Sequence, residues 1–133
     1  METEKTCKDR VKTELKNELE TLCVLWTAYR NGDEEPTEYG TFPEHGLGFD
    51  YCPGDDDGEG YFRYQISWGG PSEEFRFFVD AGKHLHRIEY WFLDWFDGAN
   101  IVLKGNDFDL LEEIFGFFDE IGSVDKALAD AVD

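Results

Sequence analysis

The chain has 133 residues and carries 31 acidic against 12 basic side chains, a formal net charge of −19. Its apolar fraction of 41% excludes a disordered chain, and its length fits one domain over residues 1–133. It has neither a run of about eighteen apolar residues nor an apolar N-terminal region, so we expect no membrane span and no signal peptide.

The negative charge is concentrated in two segments. Residues 31–62 contain ten acids and no base, and residues 89–133 contain twelve acids and two bases. Residues 1–30 and 63–88 are nearly balanced. Such a chain should repel nucleic acid and anionic membranes and attract basic protein surfaces. We therefore expect no direct binding to nucleic acid and none to membranes.

Three cysteines are widely spaced, at Cys7, Cys23 and Cys52. An odd number at such spacing indicates free thiols rather than a disulfide framework. Free thiols are typical of a reducing compartment, so we expect a cytoplasmic location.

Residues 5–30 are predicted to form an amphipathic helix. Apolar side chains recur at spacings of three and four, at Val11, Leu15, Leu19, Leu22, Trp26 and Tyr29. Asn31 and Gly32 supply the stop. The polar side carries a line of lysines, which we interpret as partners for the helix's own acids: Lys5, Lys8, Lys12 and Lys16.

The middle of the chain predicts antiparallel strands. Residues 31–60 are rich in proline and glycine and predict loops, with one candidate short strand at 47–52. Alternation over residues 61–68 predicts a half-buried strand with Trp68 on its inward side. Residues 73–80 and 84–95 predict two more strands, and "NIVLKG" (100–105) is a candidate for a fourth.

From Asn106 the apolar spacing returns to that of a helix, with an Asn or Asp N-cap and an end at Gly122. A short final helix is predicted from Ser123. The order is an N-terminal helix, a three- to four-stranded antiparallel sheet and a C-terminal helix, which predicts the α+β class. The terminal helices should cover one face of the sheet. The loop 31–60, a second subunit or a partner should cover the other.

Ile88–Asn100, "IEYWFLDWFDGAN", places five aromatic side chains within seven positions. The simplest interpretation is that all five belong to the core. The functional alternative is that Trp91, Trp95 or Phe96 stays partly exposed as an interaction anchor, with Asp94 and Asp97 as carboxylates on its rim.

Catalytic and metal-binding motifs are not apparent. "DDDGEG" (55–60) fails as a calcium loop, because two positions that need carboxylates fall on Pro53 and Tyr64. His84 and His86 have no third ligand at a fixed spacing. The sequence contains no nucleophile elbow, phosphate loop or dinucleotide fingerprint. We therefore expect no enzyme, no metal and no cofactor.

Small size, clustered negative charge, aromatic excess and missing catalytic motifs favour a protein inhibitor that imitates nucleic acid. DNA carries roughly one charge per 1.7 Å of helix axis. A small domain dense in carboxylates presents a comparable field to the basic groove of a nuclease or another nucleic-acid-binding protein. The predicted partner-binding residues are Asp33, Glu34, Glu35, Asp55, Asp56, Asp57, Glu59, Trp91, Asp94, Trp95, Asp97, Asp107, Asp109, Glu112, Glu113, Asp119 and Glu120.

Residues 66–78, "ISWGGPSEEFRFF", and residues 88–99, "IEYWFLDWFDGA", resemble a group of small acidic proteins encoded by phages and other mobile elements. The resemblance implies phage counter-defence, either anti-CRISPR or anti-restriction, in the cytoplasm of the host cell. It covers these two segments, leaves the predicted helices unmatched and assigns no site residue.

Two other functions fit the same composition. One is an immunity or antitoxin-like inhibitor of a basic nuclease toxin, whose partner would be encoded beside it. The other is an acidic structural domain without an inhibitory role. A homodimer is a further hypothesis, although chains of −19 repel each other unless nearly neutral surfaces meet.

Overall fold

The computed structural model describes residues 6–56, 58–68, 71–80, 82, 84–94 and 97–132. In chain order, its elements are α1 (Cys7–Arg30), β1 (Gly48–Cys52), β2 (Tyr61–Ser67), β3 (Ser72–Val79), β4 (Leu85–Asp94), β5 (Asp97–Val102), α2 (Gly105–Glu120) and α3 (Ser123–Val132). The predicted α+β class is confirmed. The predicted number of three to four strands is wrong: the described residues form five, because both short candidate segments pair into the sheet.

Helix α1 ends at Arg30, as its sequence predicts, and begins at Cys7, two residues later than predicted. Thr6 and Asp9 form a capping box, in which the Thr6 hydroxyl accepts from the Asp9 N–H and the Asp9 carboxylate accepts from the Thr6 N–H. At the other end Asn31 is the C-cap, and Gly32 has a φ of +75°, a conformation that glycine adopts without strain. In the described part of the chain, no helix is long and apolar enough to cross a membrane.

Helix α2 begins earlier than predicted. Its N-cap is Lys104, which makes no side-chain cap, and its first residue is Gly105 with a φ of +58°. The predicted Asn or Asp N-cap is therefore wrong. Asn106 and Asp107 lie inside the first turn instead, where the Asp107 carboxylate faces the positive end of the helix dipole.

The strands pair antiparallel with their neighbours in sequence, in the order β1-β2-β3-β4-β5. The register of β2 and β3 shifts between Gln65 and Ser67. A bulge of this kind turns the following residues to the opposite face. Trp68 consequently leaves the inward side and is 74% exposed, so its predicted inward position is wrong.

All three helices pack against one face of the sheet. The inward side chains of β2 to β4 are buried and join one cluster with residues of the three helices: Phe62, Phe75, Phe77, Ile88, Tyr90 and Phe92. Phe42, from the loop after α1, packs against Trp26 and Phe117 with ring centroids 5.0 and 5.4 Å apart. This loop lies on the helix side, so it does not cover the opposite face of the sheet.

We call the face opposite to the helices the open face. It is lined by its own polar and aromatic side chains: Asp50, Arg63, Gln65, Glu74, Arg76, Phe78, Arg87, Glu89 and Trp91. Its arginines pair with its carboxylates, as Arg63–Asp50, Arg76–Glu74 and Arg87–Glu89. The Arg76 guanidinium lies 4.0 Å from the Trp91 ring centroid and 4.6 Å from that of Tyr61. Beneath these long side chains, Glu74 and Glu89 are only 3% and 4% exposed.

Candidate partner-binding surface

Helix α2 carries five exposed carboxylates on one side. At about 100° per residue they fall within an arc of about 120°, and we call them the acidic stripe: Asp109, Glu112, Glu113, Asp119 and Glu120. The opposite arc carries Leu111 and Ile114, which are fully buried. No basic residue occurs between Gly105 and Glu120. The sixth predicted acid of this helix, Asp107, lies apart from the stripe, in a groove beside α1.

The loop after α1 adjoins the acidic stripe. Arg30, at the end of α1, forms an ion pair with Glu113, with 2.8 Å between Nη1 and Oε1. Asp33 follows closely and donates its N–H to the Ala28 carbonyl at 3.1 Å, and Asp33, Glu34 and Glu35 are all exposed. The structure thus brings these predicted residues close to the α2 acids.

The predicted acids of the β1–β2 turn form a separate group. The carboxylate of Asp55 accepts from the Gly58 N–H at 2.9 Å, and Glu59 bonds to His86 Nε2 at 2.8 Å, at the start of β4. Asp56 is exposed, and Asp57 lies outside the described residues. The bond between Glu59 and His86 ties this turn to β4.

Asp94 and Asp97 anchor the N-terminus of α1. Arg10 Nη1 donates to Asp94 Oδ2 at 2.6 Å, and the Cys7 N–H donates to Asp97 Oδ2 at 2.7 Å. This backbone hydrogen bond holds the pKa of Asp97 below its ordinary value, while burial and then the Asp97 charge raise the pKa of the Cys7 thiol. Both carboxylates, predicted as rim residues of a partner surface, are therefore engaged within the chain.

The aromatic run of β4 divides between the two faces of the sheet. Tyr90 and Phe92 are fully buried in the core. Trp91 is half-buried on the open face, where its Nε1 donates to Glu89 Oε1 at 2.8 Å. Trp95 and Phe96 lie outside the described residues. The most exposed described tryptophan is Trp68, which sequence analysis missed, although the glycine pair and proline that follow it signal the end of a strand.

Two partly buried polar pairs also escaped sequence analysis. Glu18, 8% exposed, bonds to His45 Nε2 at 2.9 Å. The Tyr90 hydroxyl donates to Glu73 Oε1 at 2.5 Å. Burial raises the pKa of Glu73, and burial together with this bond raises the pKa of Tyr90. Within each pair the two side chains satisfy each other's hydrogen-bonding atoms, as polar groups away from water require. No sequence signal distinguishes Glu18 or Glu73 from the other acids.

The described residues contain no group of three or more His, Cys, Asp or Glu side chains that could hold a metal ion. The fold and its surface define a small acidic α+β protein, with a five-stranded antiparallel meander covered by helices on one face. Comparisons with protein-family models, with curated proteins and with solved structures found no match.

Proposed function

We propose that this chain is an acidic inhibitor that binds the basic nucleic-acid groove of another protein as a mimic of DNA, its target being a host defence nuclease or a CRISPR effector. The observation that carries the proposal is the acidic stripe. Five exposed carboxylates share one side of α2, and among the described residues only Glu113 of the five has a cationic partner, Arg30.

The density of these carboxylates along the helix supports mimicry. From Asp109 to Glu120 the helix axis rises about 17 Å, which gives an average of about one carboxylate per 4 Å of axis, grouped as Asp109, the pair Glu112 and Glu113, and the pair Asp119 and Glu120. One strand of DNA carries about one phosphate per 3.4 Å of its helix axis. A basic groove that accepts a phosphate strand would therefore meet a similar average density of charge on α2. A rigid helix also holds this line without a further loss of backbone entropy on binding.

The loop acids extend this surface, whereas other predicted residues contribute less to it. Asp33, Glu34 and Glu35 adjoin the stripe through the Arg30–Glu113 pair. The β1–β2 turn is a separate group, and Asp94 and Asp97 hold α1 in place. We therefore centre the proposed interface on α2 and on the loop after α1.

The proposed mechanism is competition without chemistry. The inhibitor occupies the groove and excludes nucleic acid, and the enzyme is blocked without any bond being made or broken. Association steered by opposite charges is fast and weakens steeply as salt rises. The proposed inhibitor acts in the host cytoplasm, where the nuclease meets its DNA.

The experiment is a competition assay with a fluorescein-labelled DNA duplex bound to each of a panel of restriction endonucleases and guide-loaded CRISPR effectors. We compare the wild type with a stripe variant, Glu112→Gln/Asp119→Asn/Glu120→Gln. A matched variant, Glu20→Gln/Asp125→Asn/Asp130→Asn, has the same net charge but removes exposed acids outside both α2 and the loop after α1.

The wild type should displace DNA from at least one target, and added salt should weaken this displacement. Loss of three interfacial charge pairs should raise the inhibitory concentration of the stripe variant about tenfold, with the matched variant within about twofold of wild type. Equal loss in both variants would show that total charge, not the stripe, is responsible. Displacement from no target would refute the proposal.

A further inference from the structure

A line of lysines runs along α1. Lys8, Lys12 and Lys16 follow one another at intervals of four residues and are all exposed. Their predicted role as partners for the helix's own acids is wrong, and Lys5, the fourth lysine of that prediction, lies outside the described residues. Within the described residues none of the three makes an ion pair, because Asp9 caps the helix and Glu18 bonds to His45.

Two of these lysines border a groove formed by the described residues. It runs between α1 and α2, beside β5, with a volume of about 500 Å³. This volume lies within the range of about 300–1,000 Å³ that is typical of small-molecule sites. Lys12 and Lys16 line it together with four aliphatic side chains: Leu15, Leu19, Ile101 and Leu110.

We propose that this groove binds an anionic amphiphile, a medium-chain carboxylate. Its hydrocarbon tail lies on the four aliphatic side chains, and its carboxylate lies between the ammonium groups of Lys12 and Lys16. Lysine suits this place because its methylene stem packs on apolar surface while its charged end stays in water.

The charge at the groove is set locally, although the whole chain carries −19. At physiological salt, fields from exposed charges are screened beyond about 8 Å. Lys12 and Lys16 line the groove with one acid from their own helix, Glu20, and one from α2, Asp107. The acidic stripe lies on the opposite arc of α2 from Leu111 and Ile114, so it does not face the groove. These four charges sum to zero, and Lys12 and Lys16 lie one helical turn apart, so the place that attracts an anionic head is between these two ammonium groups.

The test uses decanoate as the probe, below its micelle concentration, with decylammonium as the matched cation of equal chain length. Binding is measured by calorimetry and by amide chemical shifts. The variant Lys12→Gln/Lys16→Gln removes both proposed contacts. Its control, Lys8→Gln/Lys104→Gln, removes the same charge from two exposed lysines that do not line the groove.

We expect decanoate to bind more tightly than decylammonium. The groove variant should lose about fivefold in affinity, as expected for two partly exposed ion pairs, while the control stays within about twofold of wild type. Equal binding of the two amphiphiles, equal affinity of the two variants, or no binding of decanoate would overturn the proposal.

A cysteine supplies a second, independent readout. Cys23 is exposed and lines the groove, whereas the half-buried Cys52 lies outside it. Bound decanoate should slow alkylation of Cys23 by iodoacetamide and leave the rate at Cys52 unchanged. If decanoate binds but Cys23 is not protected, it binds elsewhere and the groove is not its site.

Discussion

The acidic stripe of α2 and the carboxylates of the open face have the same chemistry in opposite settings. On the open face, Glu74 and Glu89 are buried and each is paired with an arginine. On α2, five carboxylates are exposed and one of them has a described cationic partner. The number of charges in a region therefore does not by itself locate a binding surface. What distinguishes the two regions is whether the fold itself supplies the counter-charge.

The largest expected effect is on the open face. Glu74→Ala leaves the Arg76 guanidinium without its carboxylate, in a place where both side chains are largely covered. We expect a loss of about 2 kcal/mol in the free energy of unfolding, because breaking a buried pair leaves an uncompensated charge. Urea unfolding measures it. A double-mutant cycle with Arg76→Ala isolates the coupling between the two side chains, and a coupling near zero would contradict the paired description of this face.

A smaller effect is expected where a carboxylate holds a helix end. Asp97→Asn should lower Tm at pH 7, because the charge that accepts from the Cys7 N–H is lost. The folded-state pKa of Asp97 is lowered, so its stabilising contribution is present above the ordinary pKa of about 3.9 and is lost as pH falls through the lower folded value. The Tm difference from wild type should therefore shrink as pH approaches 3.

The control for this prediction is Asp109→Asn, which changes the same side chain in the acidic stripe. Thermal unfolding of wild type and both variants, recorded from pH 3 to pH 7, compares them directly. We expect Asp109→Asn to show no comparable deficit at pH 7. If the two variants behave alike, the hydrogen bond between Asp97 and Cys7 does not stabilise α1.

The smallest expected effect on stability is in the stripe itself. Glu112→Gln/Asp119→Asn/Glu120→Gln should leave Tm within about 3 °C of wild type, because these side chains are exposed and make no described ion pair. Any change should be a gain at low salt that disappears at high salt, since like charges on one helix face repel. A large loss of Tm would show that the stripe stabilises the fold, and its exposed charges would then not indicate a binding partner.

Local patterns predicted much of the fold. Helix α1 lies within two residues of its predicted limits, between the capping box at Thr6 and the stop at Asn31–Gly32. Alternation in β2 and β3 predicted their buried sides, as Phe62 and Phe75 show. Prediction failed where a pattern was short or a register shifted. Two short strands gain stability only by pairing, and the shift after Gln65 turns Trp68 outward.

The candidate site was predictable in composition and less so in geometry. Sequence alone indicated acids in the loop after α1 and on α2, because a helix with apolar and acidic sides must bury one and expose the other. It did not separate these from Asp94 and Asp97, whose partners Arg10 and Cys7 lie more than eighty positions away. Nor did it reveal the groove beside Lys12.

The sequence by itself determined the acidic character of this protein, the end of α1 and which side of α2 faces solvent, because those properties depend on composition and on neighbours a few positions apart. The tertiary structure decided which carboxylates have a partner. Arg76 reaches Glu74 only when their strand is extended, and Arg10 reaches Asp94 only when α1 is seated on the β4–β5 hairpin. Such pairing is set by distance in space, which the order of residues along the chain does not specify.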